Sequence, residues 1–330
     1  MTDYTSARVR LARNLKTVPF PAKMTKEQAE DVINRVWETI SASALKDTVK
    51  LIKSSETDRI SLMALSEKHL ISPDFLKGTL PRAVILSNDE KISIMINEED
   101  HLRIQVFSHG SSLAEAYDTA DKIDSLLCEK LDIAFHEKFG YLTACPTNAG
   151  TGMRASFMLH LPALTITNSI SNVFSWASKL SLAVRGVYGE GSKAKGAFYQ
   201  LSNQVTLGAT EHEIINRLSL AAEELIQKEE LVRKTLFENN TVKITDRCMR
   251  SYGILTNAYA LTSDEAFSLV SDVHLGIALG IINNVSPEKL SHVLFSTLPA
   301  SLSLSESEDT SDPISRDVLR AKHFREELKI

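Results

Sequence analysis

Four stretches of the chain combine residue types that could do chemistry. The first is Ser6-Ala7-Arg8-Val9-Arg10, in which two arginines one residue apart would project from the same side of an extended strand and could grip a polyphosphate. Alone, such a pair is more often a solvated strand face. The second is Asn97-Glu98-Glu99-Asp100-His101-Leu102-Arg103, a turn between two predicted strands that gathers three carboxylates, a histidine and an arginine. Carboxylates so placed can hold a guanidinium through paired, charge-assisted hydrogen bonds, and the arginine that follows can face phosphates. The plain alternative is an exposed charged hairpin.

The third stretch runs from Cys145 through Gly150-Thr151-Gly152-Met153-Arg154 to Ser156, a glycine-containing turn that enters a strand opening with arginine and could approach a ligand closely. A lone cysteine is ordinarily a small buried hydrophobe, so a role for the Cys145 thiol needs support from its neighbours. The fourth is Arg185-Gly186-Val187-Tyr188-Gly189-Glu190-Gly191-Ser192, an arginine and a carboxylate on a glycine-rich loop. Ser192 stands where a phosphate-binding P-loop needs lysine, and Ala194 stands where a dinucleotide fingerprint needs its third glycine. The common nucleotide motifs are therefore absent, and any phosphate site must be built from arginines.

Composition narrows the classes. With 330 residues, 43% hydrophobic and 24% charged, the chain has the makeup of a globular protein with a sizeable core, and one large domain plus a small one is expected. A net charge of −5 gives no general reason to bind nucleic acid, although Arg8, Arg10 and Arg13 on one strand keep that reading in view. No run approaches the roughly 20 apolar residues of a membrane span, and the N-terminus carries charges where a signal peptide would be apolar, so a cytoplasmic protein is expected. Cys128, Cys145 and Cys248 are far apart and form no CxxC pair, which predicts neither a disulfide framework nor a metal site.

These residues need elements to position them. Residues 82–107 read as a strand-turn-strand-turn-strand meander, with Ile92, Ile94 and Ile96 in alternation. The three-and-four spacing of apolar residues predicts a helix over 113–135 that covers one sheet face, with a second over about 169–182. Further strands are expected at 140–145, 154–161, 183–187 and 197–207. Hairpins and helices mix without regular alternation, so the class is α+β, an antiparallel or mixed sheet with helices packed on it. From about residue 209 the chain reads as helical: a long helix over 211–236, a capping box at Thr262-Ser263-Asp264-Glu265, and a cap with first-turn proline at Ser286-Pro287. The Ser-, Asp- and Glu-rich stretch 299–313 predicts a solvated linker leading to a last helix over 314–329. Two domains are expected, 1–232 and 233–330.

Taken in order, SARVRLARNL, EKHLIS, NEEDHLRIQ, GYLTACPTNAGTGMRAS, RGVYGEGS and YQLSNQVTLG resemble the guanidino kinases, the family of arginine and creatine kinase, over nearly the whole chain. Two features bring the resemblance closer to the bacterial protein-arginine kinases. Only five residues precede Ser6, where kinases of free metabolites carry a helical domain enclosing a small substrate. Arg316-Asp317-Val318-Leu319-Arg320-Ala321 also matches the RDxxRA motif, which in protein-arginine kinases lies in a phosphoarginine-binding regulatory site and involves Arg316, Asp317 and Arg320.

The resemblance implies roles position by position. Arg8, Arg10, Arg103, Arg154 and Arg185 become an arginine cage around the phosphates of ATP. His69 becomes a nucleotide contact. Ser6 to Arg10, Arg154-Ala155-Ser156-Phe157-Met158 and Arg185-Gly186-Val187-Tyr188-Gly189-Glu190 become the nucleotide-binding segments. Glu99 and Glu190 become the carboxylates that hold and activate the target guanidinium, with the identity of the base left open, and Cys145 the cysteine beside it. Tyr188 departs from the metabolite kinases, which have another arginine there, and is read as a difference in specificity. Mg²⁺ is expected with ATP, held by phosphates and water. The implied partners are a heat-shock repressor and misfolded proteins as substrates, a McsA-like activator, a Clp unfoldase and a second copy of the chain. The competing readings are a kinase of free arginine or another small guanidine, and a non-catalytic phosphoarginine-binding adaptor.

Overall fold

The computed structural model describes residues 4–108, 112–186, 196–305, 310 and 312–329. The strands are β1 (Tyr4–Arg13), β2 (Val49–Lys53), β3 (Ala83–Ser87), β4 (Ile92–Ile96), β5 (Leu102–Ser108), β6 (Phe135–His136), β7 (Gly140–Tyr141), β8 (Met153–His160), β9 (Leu182–Gly186) and β10 (Phe198–Asn203). The helices are α1 (Lys26–Ser41), α2 (Arg59–Glu67), α3 (Leu113–Cys128), α4 (Pro162–Ile166), α5 (Ile170–Lys179), α6 (Glu211–Asn239), α7 (Thr241–Asn257), α8 (Ser263–Ala278), α9 (Pro287–Ser296), α10 (Pro299–Ser305) and α11 (Pro313–Leu328).

Eight strands form one sheet in the order β2-β3-β4-β5-β1-β8-β10-β9, and every neighbouring pair is antiparallel. The class is α+β, as the mixture of hairpins and helices predicts. β1 lies in the middle of the sheet, and its alternation divides the two faces. Ala7, Val9 and Leu11 point into a core shared with Ile104, Val106, Ala155, Phe157 and Leu201. That face is covered by α1, α3, α5 and α6, whose buried residues recur at helical spacing: Val32, Ile33, Val36 and Ile40 on α1, and Leu113, Ala116, Ala120, Ile123 and Leu127 on α3.

Arg8 and Arg10 take the opposite face, and two separate bodies cover its ends. Over β3 and β4, Leu62 of α2 with Ile71 and Phe75 packs on Val84 and Met95 in a small apolar cluster. Over the far end of β8 and β10, Phe198 and Met158 join the core of the C-terminal helices, which is built from Ile244, Cys248, Phe267, Val270 and Phe324 among others. His160 lies in the same contact, 2.8 Å from Ser271. Between the two covers, the middle of this face belongs to arginines.

Several expectations need correction. The strand expected over 140–145 is only Gly140–Tyr141, because Cys145 caps the short helical turn Pro146–Asn148. The helix expected over 113–135 ends at Cys128, where the chain turns into Leu131 and a short hairpin. The expected linker over 299–313 begins as helix α10, with Ala300 and Leu302 buried. Gly150 and Gly152 (φ +104° and +63°) do allow a close approach, but to the chain's own backbone. A Cβ there would come within 2.2 Å of the Thr206 carbonyl oxygen and 2.7 Å of that of Ala12, respectively.

Candidate active site

Register fixes which side chains share the open face. Arg8 pairs with Phe107 and Ser156, Arg10 with Gln105 and Arg154, and Ala12 with Arg103. Gln200 pairs with Met158 and with Arg185. Directly opposed residues of an antiparallel sheet point the same way, so Arg8, Arg10, Arg103, Arg154 and Arg185 stand on one surface across five adjacent strands. All five are half-buried. Ala7, Val9, Ala155 and Phe157 fall on the other face and are fully buried, so they hold the strands rather than line the cleft. Val187, Tyr188, Gly189 and Glu190 lie outside the described residues.

The arginines strain one another electrostatically. Burial pulls the Arg8 guanidinium down to about 10, with Arg103 and Arg154 adding to the effect. Arg10 is held well below its usual value by burial and then by Arg8, Arg103 and Arg154, and only Glu98 acts the other way. Its Nε is buried without a hydrogen-bond partner among the described residues. A buried donor beside like charges is costly, and a multiply charged anion laid across it would relieve both costs. The triphosphate of ATP fits this donor set. No group of His, Cys, Asp and Glu among the described residues could hold a metal ion by itself.

The Asn97–Arg103 turn separates into framework and reactive parts. Asn97, in the left-handed region (φ 61°), donates its side-chain amide to the Ala29 and Pro81 carbonyls. Asp100 accepts from Asn14 (2.6 Å) and from the Ala144 amide (2.7 Å), which ties this turn to the loop of Cys145. The His101 Nδ1 accepts from the Leu15 amide, so its Nε2 donates to the Pro19 carbonyl. Glu98 is buried between Ser72 and Arg103 (2.8 Å each), whereas Glu99 is exposed, keeping 40% of its side-chain surface in solvent, and meets Arg103 at 2.9 Å. Burial pushes the Glu99 carboxyl up, Arg103 opposes this, and Asp100 and Glu98 reinforce it. Glu99 is thus the carboxylate of the turn that can meet a second guanidinium. Cys145 is half-buried on the adjoining loop, its Sγ 3.0 Å from Thr147 Oγ1.

His69 reaches this face from the segment after α2. It has left-handed backbone (φ 60°), and its carbonyl accepts from Gln105 Nε2 at 2.8 Å, while the next carbonyl, of Leu70, accepts from Ser93. Gln105 and Ser93 share the arginine face, so the segment is pinned over it. Burial and then Arg8 and Arg10 lower the His69 pKa to about 4, which keeps the ring neutral near pH 7. Gln105, Ser93 and Ser72 were given no site role by the reading of the sequence, and Glu98 was read only as one of three carboxylates in the acidic turn; Ser72 and Gln105 did carry a signal, as the last residues of EKHLIS and NEEDHLRIQ, whereas Ser93 carried none.

On the last helix, Arg320 is fully buried. It donates to the carbonyls of Thr297 (2.9 Å) and Leu261 (2.6 Å) and pairs with Asp317 at 2.6 Å. Arg316 is half-buried and donates to the Thr310 carbonyl.

The model of the ATP:guanido phosphotransferase C-terminal catalytic domain matches residues 31–232, and that of the protein-arginine kinase McsB C-terminal domain matches residues 241–330. The chain belongs to the ATP:guanido phosphotransferase family, in its protein-arginine kinase branch. It is 46% identical to the protein-arginine kinase of Halothermothrix orenii over 327 residues, covering 98% of this chain and 93% of that protein. It is 45% identical to that of Caldanaerobacter subterraneus subsp. tengcongensis, covering 98% and 96%. Among solved structures, lombricine kinase has a similar fold (TM-score 0.63, 21% identity, 71% of this chain and 69% of that one). So does the duplicated taurocyamine kinase of Schistosoma mansoni with bound transition-state-analogue components (TM-score 0.63, 20% identity, 88% and 39%). This phosphotransferase therefore uses ATP, and no helix among its described residues is long and apolar enough to cross a membrane.

Proposed function

We propose that this chain is a protein-arginine kinase that transfers the γ-phosphoryl group of ATP to arginine side chains of other proteins. The observation that carries the reading is full-length similarity to protein-arginine kinases, spanning both the catalytic and the C-terminal part. The arginine face supplies the chemistry. Arg8, Arg10, Arg103, Arg154 and Arg185 hold the phosphates and neutralise the charge spread over the transferring group. Mg²⁺ would come with the nucleotide rather than from protein carboxylates and would add to that neutralisation.

A guanidinium is a weak nucleophile because it is protonated and delocalised. Glu99 and Glu190 hold it, localise its charge away from the attacking nitrogen and take up its proton. The nitrogen lone pair then forms the N–P bond as the bond from phosphorus to the β-phosphate oxygen breaks, and ADP leaves with that electron pair. Burial of Glu99 raises its proton affinity, which suits it to this role. Cys145, on a loop tied to the acidic turn through Asp100, lies beside the guanidinium.

Residues 1–232 form the catalytic part and 233–330 a regulatory part, in which Arg316 and Asp317 meet phosphoarginine and the buried Arg320, spent on Thr297, Leu261 and Asp317, anchors the helix that carries them. The substrates are a heat-shock repressor and misfolded proteins, marked for a Clp protease. A McsA-like activator stimulates the enzyme, which works as a homodimer in the cytoplasm. The test is incubation with Mg²⁺-ATP and either an unfolded basic protein or free arginine. Acid-labile phosphate on protein arginines supports the proposal; turnover of free arginine alone, or acid-stable phosphate, refutes it.

A further inference from the structure

The two bodies that cover the ends of the arginine face meet where α10 packs against α2, and one charged side chain pins that contact. Glu67, the last residue of α2, accepts hydrogen bonds from the backbone amides of Ala300 (2.8 Å) and Ser301 (2.8 Å) and from the Ser301 hydroxyl (3.0 Å), all in the first turn of α10. The partners are 233 residues apart in sequence. Each end of this contact continues into a charged site. Toward the sheet, His69 follows Glu67 by two residues, and its carbonyl is fixed over Arg8 and Arg10 by Gln105. Ser72, three residues further on, holds Glu98, which in turn holds Arg103. Toward the C-terminus, Arg320 grips the Thr297 carbonyl, two residues before α10 begins, and Glu67 also bears electrostatically on Arg320.

We propose that Glu67 is a positioning residue: through its grip on α10, the C-terminal helices set the pose of the His69–Ser72 segment over the arginine face and so control nucleotide affinity. The proposal rests on the arginine face being the nucleotide site. A carboxylate suits the contact because all three of its partners are donors, and charge-assisted bonds hold geometry better than neutral ones. The connected elements form a contiguous run of packed and hydrogen-bonded contacts, a path along which coupling between distant sites can travel.

The test uses the full chain and Mg²⁺-ATP, with Glu67→Ala and Glu67→Gln. Glu67→Ala should raise the ATP dissociation constant and KM about fivefold while kcat at saturating ATP stays within about twofold, and Glu67→Gln, which keeps one acceptor, should fall between. A lower melting temperature with unchanged ATP affinity would reduce Glu67 to a structural staple and overturn the proposal. Hydrogen exchange on the wild-type chain covers the case in which the variants fail to fold. ATP should slow exchange both in 62–72 and in 299–305, and protection confined to the first segment would overturn the coupling. Both readouts follow nucleotide binding without a protein substrate, so a failure to phosphorylate protein arginine would leave them intact.

Discussion

Arg10, on the sheet, and Arg320, on the last helix, both lose water around the guanidinium, and the fold compensates only one of them. Arg320 sits among two backbone carbonyls and Asp317, so its burial closes a joint between α11, the α9–α10 turn and Leu261. Arg10 sits among Arg8, Arg103 and Arg154 with a buried Nε lacking a partner among the described residues. One arginine stabilises the fold by being satisfied; the other holds a charge that a ligand must satisfy. On the proposed reading, a polyanion site is thereby maintained at some expense in stability.

Substitutions should separate the two cases. The largest effect is expected from Arg10→Ala: phosphoryl transfer falls by about a hundredfold or more, as for loss of a transition-state donor, while the melting temperature stays level or rises. Steady-state kinetics and a thermal melt on the same preparation check both halves. Glu99→Gln should cost a similar factor in kcat but leave ATP affinity nearly unchanged, which a nucleotide titration reads directly.

Arg320→Ala should act in the opposite sense, destabilising by about 3 kcal/mol because two buried carbonyls and Asp317 lose their partner. A denaturant titration checks this, and a variant as stable as the wild type would erase the contrast.

The smallest effect concerns pH. His69 has its pKa lowered in the folded chain, from 6.5 to about 4, so the unfolded chain binds the extra proton in that window. Its contribution to stability is full above about 6.5 and is lost as pH falls toward 4. His69→Gln should therefore flatten part of the acid loss of stability between those values, as followed by melting temperature against pH.

What could be read from the sequence was local. The alternation of Ala7, Arg8, Val9, Arg10 and Leu11 already assigned Arg8 and Arg10 to one face, and the spacing at Ile92, Ile94 and Ile96 announced β4. The cap at Thr262 accepts from the Glu265 amide, as its motif predicts. Helix α1 went unread although Thr25 and Gln28 form a reciprocal capping box ahead of Ala29, Val32, Ile33 and Val36, a signal that was present. Helix α10 could not be read so: its serines resemble linker, and it is held by Leu302 in the core and by Glu67 from the far end of the chain. The division of labour between Glu98 and Glu99 was equally hidden, since neighbouring carboxylates differ only once the turn meets Ser72 and Arg103. Glu190 lies outside the described residues, so its place opposite Glu99 stays an expectation from family resemblance.

The claim beneath all of this is that the crowded arginines of the sheet are the triphosphate site. Calorimetric titration of Mg²⁺-ATP into the wild-type chain and Arg10→Ala tests it most directly. The account predicts saturable binding by the wild type and a loss of about tenfold or more in affinity in a variant that melts no lower. Equal affinity in the two proteins would contradict it.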